Sequence, residues 1–190
     1  MTTNETKTTS HLPPPPMPPE GKPFQVGATK AIVNTHKDAG RETVSLRLSR
    51  VIKAKPEKVY KAFLDADALA AWLPPHGFVG KMHSYEPRVG GKFRMSFYTV
   101  TKSWSNTFGG TYLELVPNQK IVHSDAFETD DPSMQGEMRV TINLTPVPEG
   151  TLLEIEQAGI PAGPSASGAP YGWAQSLDKL AQLVEPELPF

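Results

Sequence analysis

The chain has 190 residues, 38% hydrophobic and 21% charged, with 19 basic against 20 acidic side chains and a formal charge of −1. That length suits one domain with a tail, the balanced charge removes the counterion-release argument for nucleic-acid binding, and the absence of cysteine excludes disulfides, thiolate nucleophiles and cysteine metal sites. No apolar run approaches the roughly 18–20 residues of a membrane span, and the opening MTTNETKTTS lacks the basic start and apolar core of a signal peptide, so the expected compartment is the cytoplasm.

The first 23 residues hold seven prolines and no aromatic residue. A segment such as LPPPPMPPEGKP buries too little to offset its ordering entropy, so residues 1–23 are expected to form a disordered tail, or else a polyproline II ligand for a partner domain. Residues 24–40 carry Phe24, Val26, Ile32 and Val33, enough for a short strand or an arm lying on the domain. From Arg41 the pattern becomes regular: Val44, Leu46 and Leu48 alternate with Ser45, Arg47 and Ser49, as in a half-buried strand. In KPEKVYKAFLDADALAAWLPP, Pro56 suits a first helical turn, Val59, Ala62 and Phe63 keep helical spacing, and Leu69 and Trp72 form a second pair before Pro74 and Pro75 stop the segment. Two short helices are expected there.

The stretch PPHGFVGKMHSYEPRVGGKFRMSF then invites a catalytic reading, but its RVGGK segment separates two strand-like runs and has hairpin chemistry. Phe93, Met95 and Phe97 alternate with Arg94, Ser96 and Tyr98 beyond it. Further strands are expected at 108–115 and 120–127, then through Met138, Val140, Ile142 and Leu144, and through Leu153 and Ile155, as an antiparallel meander. After AGIPAGPSASGAP, expected to be a loop over 158–170 that is either a mobile pocket rim or a plain connector, Trp173, Leu177, Leu180 and Val184 recur at helical intervals and predict a helix over about 172–185. The fold class is therefore α+β: a curved antiparallel sheet wrapped around a long C-terminal helix, over residues 41–186, with 187–190 as a short tail.

That order of elements resembles the START-like, or helix-grip, superfamily (SRPBCC). Within it the segments SRVIKAKPEKVYKAFLDADALAAWLPP, EPRVGGKFRMSF, GGTYLELVPNQKIVHS and GWAQSLDKLAQLV resemble the branch named after the activator of the heat-shock-protein-ninety ATPase. The resemblance implies a groove or cavity between sheet and helix, used in the superfamily for apolar or amphipathic small molecules. It also implies a chaperone partner as an alternative, although residues 1–40 are too short and proline-rich to supply the separate N-terminal domain of the prototype activators.

No catalytic set transfers, so candidates are judged by residue type and spacing. His76 lies in a loop, and His83 and Glu86, three apart, point to opposite faces of a regular strand. His123 and Asp125 share a face, either as the solvent side of their strand or as an acid–base pair of a cyclase or hydrolase. The five histidines show no ligand spacing, no phosphate-binding glycine loop is present, and GPSASG is too long for a nucleophile elbow, so neither metal nor cofactor is expected. A small hydrophobic ligand is the expected partner, and Trp72, Phe93, Met95, Phe97, Tyr98, Trp104, Tyr112, His123, Met138 and Trp173 are the expected lining. Arg50 and Arg94 either pair with a ligand carboxylate or sit in salt bridges. Oligomeric state is not legible in the chain.

Overall fold

The computed structural model describes residues 15–188. Nine strands form one antiparallel sheet in the order β1-β2-β3-β9-β8-β7-β6-β5-β4, open at β1 and β4. They are β1 (Phe24–Val26), β2 (Thr29–Asp38), β3 (Arg41–Ile52), β4 (Phe78–Tyr85), β5 (Lys92–Thr99), β6 (Ser105–Val116), β7 (Lys120–Phe127), β8 (Met138–Val147) and β9 (Gly150–Pro161). The helices are α1 (Pro56–Phe63), α2 (Ala66–Trp72) and α3 (Pro164–Val184). Every strand-to-strand connection is a hairpin except the β3–β4 crossover, which carries α1 and α2 from one edge region of the sheet to the other.

Local chemistry sets the helix boundaries. Pro56 opens α1, where its missing N–H costs nothing. The Asp65 carboxylate accepts from Ala68 N at 2.9 Å and caps α2, and Pro74 and Pro75 stop it. Arg50 of β3 pairs with Asp178 of α3, a cross-link between sheet and helix. The core is continuous: Leu46, Leu48 and Ile52 of β3, Val140, Ile142 and Leu144 of β8, and Leu153 and Ile155 of β9 pack beneath Leu177, Leu180, Ala181 and Val184 of α3.

Three expectations are corrected. Of the two readings of residues 24–40, strand or arm, the arm is set aside: β2 pairs with β3 over nine registered positions, from Lys30 opposite Ser49 to Asp38 opposite Arg41. The turn between them uses Ala39 and Gly40, both at positive φ, and an alanine there hides the turn from a sequence reading. Of the expected tail, residues 1–14 lie outside the described residues, but Gly21 N donates to Val33 O at 2.8 Å and Thr35 N to Glu20 Oε1 at 3.1 Å, so its end is tied to β2.

The third correction concerns 158–170. Residues up to Pro161 continue β9, only Ala162 and Gly163 connect, and α3 begins at Pro164. Proline and glycine suggested a loop, yet Pro164 sits in the first turn, and Ala166, Ser167 and Pro170 are buried against the domain. Tertiary burial outweighs the hydrogen bond that Pro170 denies the Ala166 carbonyl. The 21-residue helix is about 32 Å long.

One glycine is required by close approach. A Cβ on Gly110 of β6 would lie 1.9 Å from the Ser124 carbonyl oxygen of β7. Gly110→Ala is expected to lower unfolding free energy by about 1–3 kcal/mol, because backbone has to move to admit one methyl group. Urea denaturation measures it, and an unchanged midpoint would contradict the packing of β6 on β7.

Candidate functional site

Between the concave face of the sheet and α3 lies a cavity of about 510 Å³. Period-two geometry explains its floor, because side chains two apart on a strand share a face. On β5 this brings Phe93, Met95 and Phe97 inward, on β6 Asn106, Phe108 and Tyr112, on β7 Ile121, His123, Asp125 and Phe127, and on β8 Val140 and Ile142. Gln157 and Ile160 of β9 complete it. Trp72, Leu73 and Pro75 close one side, Gly168, Ala169, Gly172 and Trp173 form the roof, and Phe78, Met82 and Trp104 stand at the β4–β5 end.

The aromatic rings meet edge to face. Phe97 and Phe108 centroids are 4.8 Å apart, Phe78 and Trp104 5.1 Å, and Phe93 and His123 5.2 Å. Trp104 is 44% exposed, whereas Trp72 is 1% exposed and donates from Nε1 to Ala62 O at 2.9 Å. Trp173 Nε1 donates to Gln157 Oε1 at 2.8 Å, which fastens α3 to β9 across the cavity.

His123 and Asp125 face the cavity, so the reading of them as a solvent side is overturned. They do not form a dyad. His123 Nδ1 bonds the Ser124 carbonyl at 2.9 Å, and Asp125 Oδ1 is enclosed without a partner. The accessible part of each side chain is presented to the cavity while protein surrounds the rest. Burial accordingly holds the His123 imidazole down at about 4, against the pull of its Ser124 bond, and pushes the Asp125 carboxyl up to about 7, against the Ala126 N–H. Burial also raises Tyr112, whose hydroxyl lies 3.4 Å from that of Tyr85.

These shifts bear on stability in opposite senses. Between about pH 4 and pH 7 the folded protein keeps the Asp125 proton that the unfolded chain has released, so this burial costs stability increasingly as pH rises and in full above about pH 7. Between about pH 6.5 and pH 4 the unfolded chain takes up the His123 proton that the folded protein refuses, so stability falls as pH falls. Where the windows overlap the two slopes offset each other. Asp125→Asn removes one of them and is expected to exceed the parent protein in stability by a few kcal/mol at pH 8 and by little at pH 4. Urea denaturation across pH checks this, and a gap that does not widen with pH would contradict the burial of Asp125.

Of the expected lining residues, Trp72, Phe93, Met95, Phe97, Trp104, Tyr112, His123 and Trp173 border the cavity; Tyr98 and Met138 do not. The strand phase that turns Phe97 inward turns Tyr98 away. Met138 is 1% exposed, with its Sδ facing Gln157 Nε2 at 3.4 Å, and is core. Asn106, Asp125 and Gln157 were not among the expected lining, though each is a polar residue standing in an inward phase of its strand, and that is the signal that finds them. Arg50 and Arg94 are salt-bridged to Asp178 and Glu128. His76 is exposed, and His83 bonds Ser96 Oγ at 2.6 Å on the outer face.

Among the described residues no group of three histidine, aspartate or glutamate side chains is placed to hold a metal ion, and no helix is long and apolar enough to cross a membrane. Asp125 is poised to exchange a proton near neutrality. The cavity-facing hydroxyl of Ser176 is engaged with the carbonyls of Leu73 and Gly172 and is not set up as a nucleophile.

The family described as "Activator of Hsp90 ATPase homolog 1-like protein" matches residues 53–185. Among solved structures, a Chromobacterium violaceum protein is 48% identical with a TM-score of 0.71, over 75% of this chain and 98% of that one. A Mesorhizobium loti protein is 27% identical with a TM-score of 0.60, over 73% and 95% of the two chains. A Rhodobacter sphaeroides protein at 23% identity, with a TM-score of 0.61 over 80% and 97%, shares the fold. No curated protein matches the chain. The sheet gripping α3, the cavity beneath it and these likenesses agree: the chain belongs to the family of activator of Hsp90 ATPase homolog 1-like proteins and has the helix-grip fold of the START-like superfamily.

Proposed function

We propose that this protein binds a small apolar or amphipathic molecule with aromatic character between the sheet and α3. The observation that carries the reading is the cavity of about 510 Å³, walled by aromatic and aliphatic side chains and bearing only a few polar groups. That volume falls in the range of about 300–1,000 Å³ typical of small-molecule sites. A two-ring ligand that gives up roughly 200 Å² of apolar surface gains about 5 kcal/mol before association costs, and a cavity already formed keeps those costs low. The edge-to-face ring pairs in the wall favour a further ring in the same manner.

The chain's three tryptophans all border the cavity, which makes them reporters of occupancy. Titration with N-phenyl-1-naphthylamine, excited through tryptophan, is expected to give saturable sensitised emission at one equivalent. Emission that rises linearly without saturation would count against a defined site.

A further inference from the structure

Several polar groups in the cavity wall are already engaged, Trp173 with Gln157, Ser176 with two backbone carbonyls and Tyr112 with Tyr85, while the amide of Asn106 carries no charge. Two acceptors on β7 stand apart. Asp125 borders the cavity with its Oδ1 enclosed and without a hydrogen-bond partner, and an ionised carboxyl so placed costs free energy unless something in the cavity supplies charge or a donor to its accessible part. The Ser124 carbonyl can only accept, so His123 Nδ1 carries the proton of the neutral ring and Nε2 is left as a lone pair. His123 and Asp125 are two residues apart on one strand face, a span of about 7 Å. No lysine or arginine lines the cavity among the described residues.

We infer that the molecule held in this cavity carries a protonated amine, whose N–H donors meet the Asp125 carboxylate and the His123 Nε2 lone pair while its apolar ring system fills the remaining space. The inference rests on the binding function proposed above and names the chemistry of its ligand. An ammonium group brings the positive charge that the lining lacks, and its bonds to a carboxylate are charge-assisted. A ligand carboxylate meets the opposite situation, with the Asp125 carboxyl beside it and no lysine or arginine in the lining to offset the two charges.

Binding of such an amine requires Asp125 to be ionised, which ties affinity to pH. The titratable side chains lining the cavity are Asp125, His123 and Tyr112. His123 stays neutral and Tyr112 stays protonated between pH 6 and pH 8, so Asp125, at about 7, is the group that changes. Its ionised fraction falls roughly tenfold from pH 8 to pH 6.

The test is calorimetric titration of the whole protein with three probes of one shape: 1-naphthylmethylamine, 1-methylnaphthalene and 1-naphthoate. At pH 8 the amine is expected to bind at least tenfold tighter than 1-methylnaphthalene, and naphthoate weakest of the three. At pH 6 the amine is expected to weaken about tenfold, with 1-methylnaphthalene unmoved. Asp125→Asn is expected to abolish both the amine preference and its pH dependence; should that variant not fold, the pH series on the parent protein decides alone. An amine that binds no tighter than 1-methylnaphthalene, or a tighter naphthoate, overturns the inference and leaves the binding function standing. Failure of all three probes to bind overturns the binding function as well.

Discussion

Trp72→Ala is expected to cost about 3–5 kcal/mol of unfolding free energy, the range for removing a fully buried large aromatic side chain. Three contributions act together. The indole is 1% exposed and packs edge-on against Phe63 with ring centroids 4.8 Å apart, so its loss unpins α1 from α2. Its Nε1 satisfies the Ala62 carbonyl, the last turn of α1, and that acceptor is left buried without its partner. The indole also borders the cavity, so the vacated volume merges with space that is already empty and cannot be refilled by local collapse. Trp72→Phe keeps the ring contact and loses the hydrogen bond, and is expected to cost about 1–2 kcal/mol. Urea denaturation of both variants measures the difference. A cost below about 1 kcal/mol for Trp72→Ala would mean that α2 is not held through this residue.

Gly168→Phe is expected to reduce N-phenyl-1-naphthylamine affinity more than tenfold with no loss of stability. Gly168 lies on the cavity side of α3, and a Cβ built there meets no atom within 4 Å, so a larger side chain enters open space. A phenyl ring placed in the cavity occupies the volume that a ligand ring needs. The backbone gains at the same time, since glycine inside a helix costs about 1 kcal/mol relative to alanine. Gly168→Ala isolates that second effect: it is expected to raise stability by up to about 1 kcal/mol while leaving most of the cavity free. Loss of binding together with loss of stability in Gly168→Phe would point to disruption of α3 and not to a filled site.

The parts of this molecule that were legible in the sequence are those in which one periodicity fixes one face. Phe93, Met95 and Phe97, or Leu177, Leu180 and Val184, announce both an element and its buried side, and no other packing satisfies them. Less legible were elements whose formation depends on partners distant in sequence. The strand β2 has a mixed pattern and an alanine turn, and becomes readable only once β3 lies beside it. The first turns of α3 carry two prolines and two glycines, yet burial of Ala166, Ser167 and Pro170 holds them helical. The site shows the same division. Aromatic residues in apolar phases pointed to a wall, but His123 and Asp125 were compatible with either face of β7, because a polar residue in a strand reports its direction only through the phase of its neighbours. Ile121 and Val122 stand in opposite phases and are equally buried, so the neighbouring residues leave the direction open and the pairing of β7 with β6 and β8 is what turns His123 and Asp125 inward.

The most direct test of binding inside the grip of sheet and helix is a nitrogen–proton correlation spectrum of the indole groups during titration with N-phenyl-1-naphthylamine. Trp72, Trp104 and Trp173 approach the cavity from three different elements of the wall, and Trp173 Nε1 spans it to Gln157. All three indole resonances are predicted to shift and to saturate together at one equivalent of ligand. Indole resonances that stay fixed while the amides of surface residues such as Val51 and Leu183 move would contradict the account.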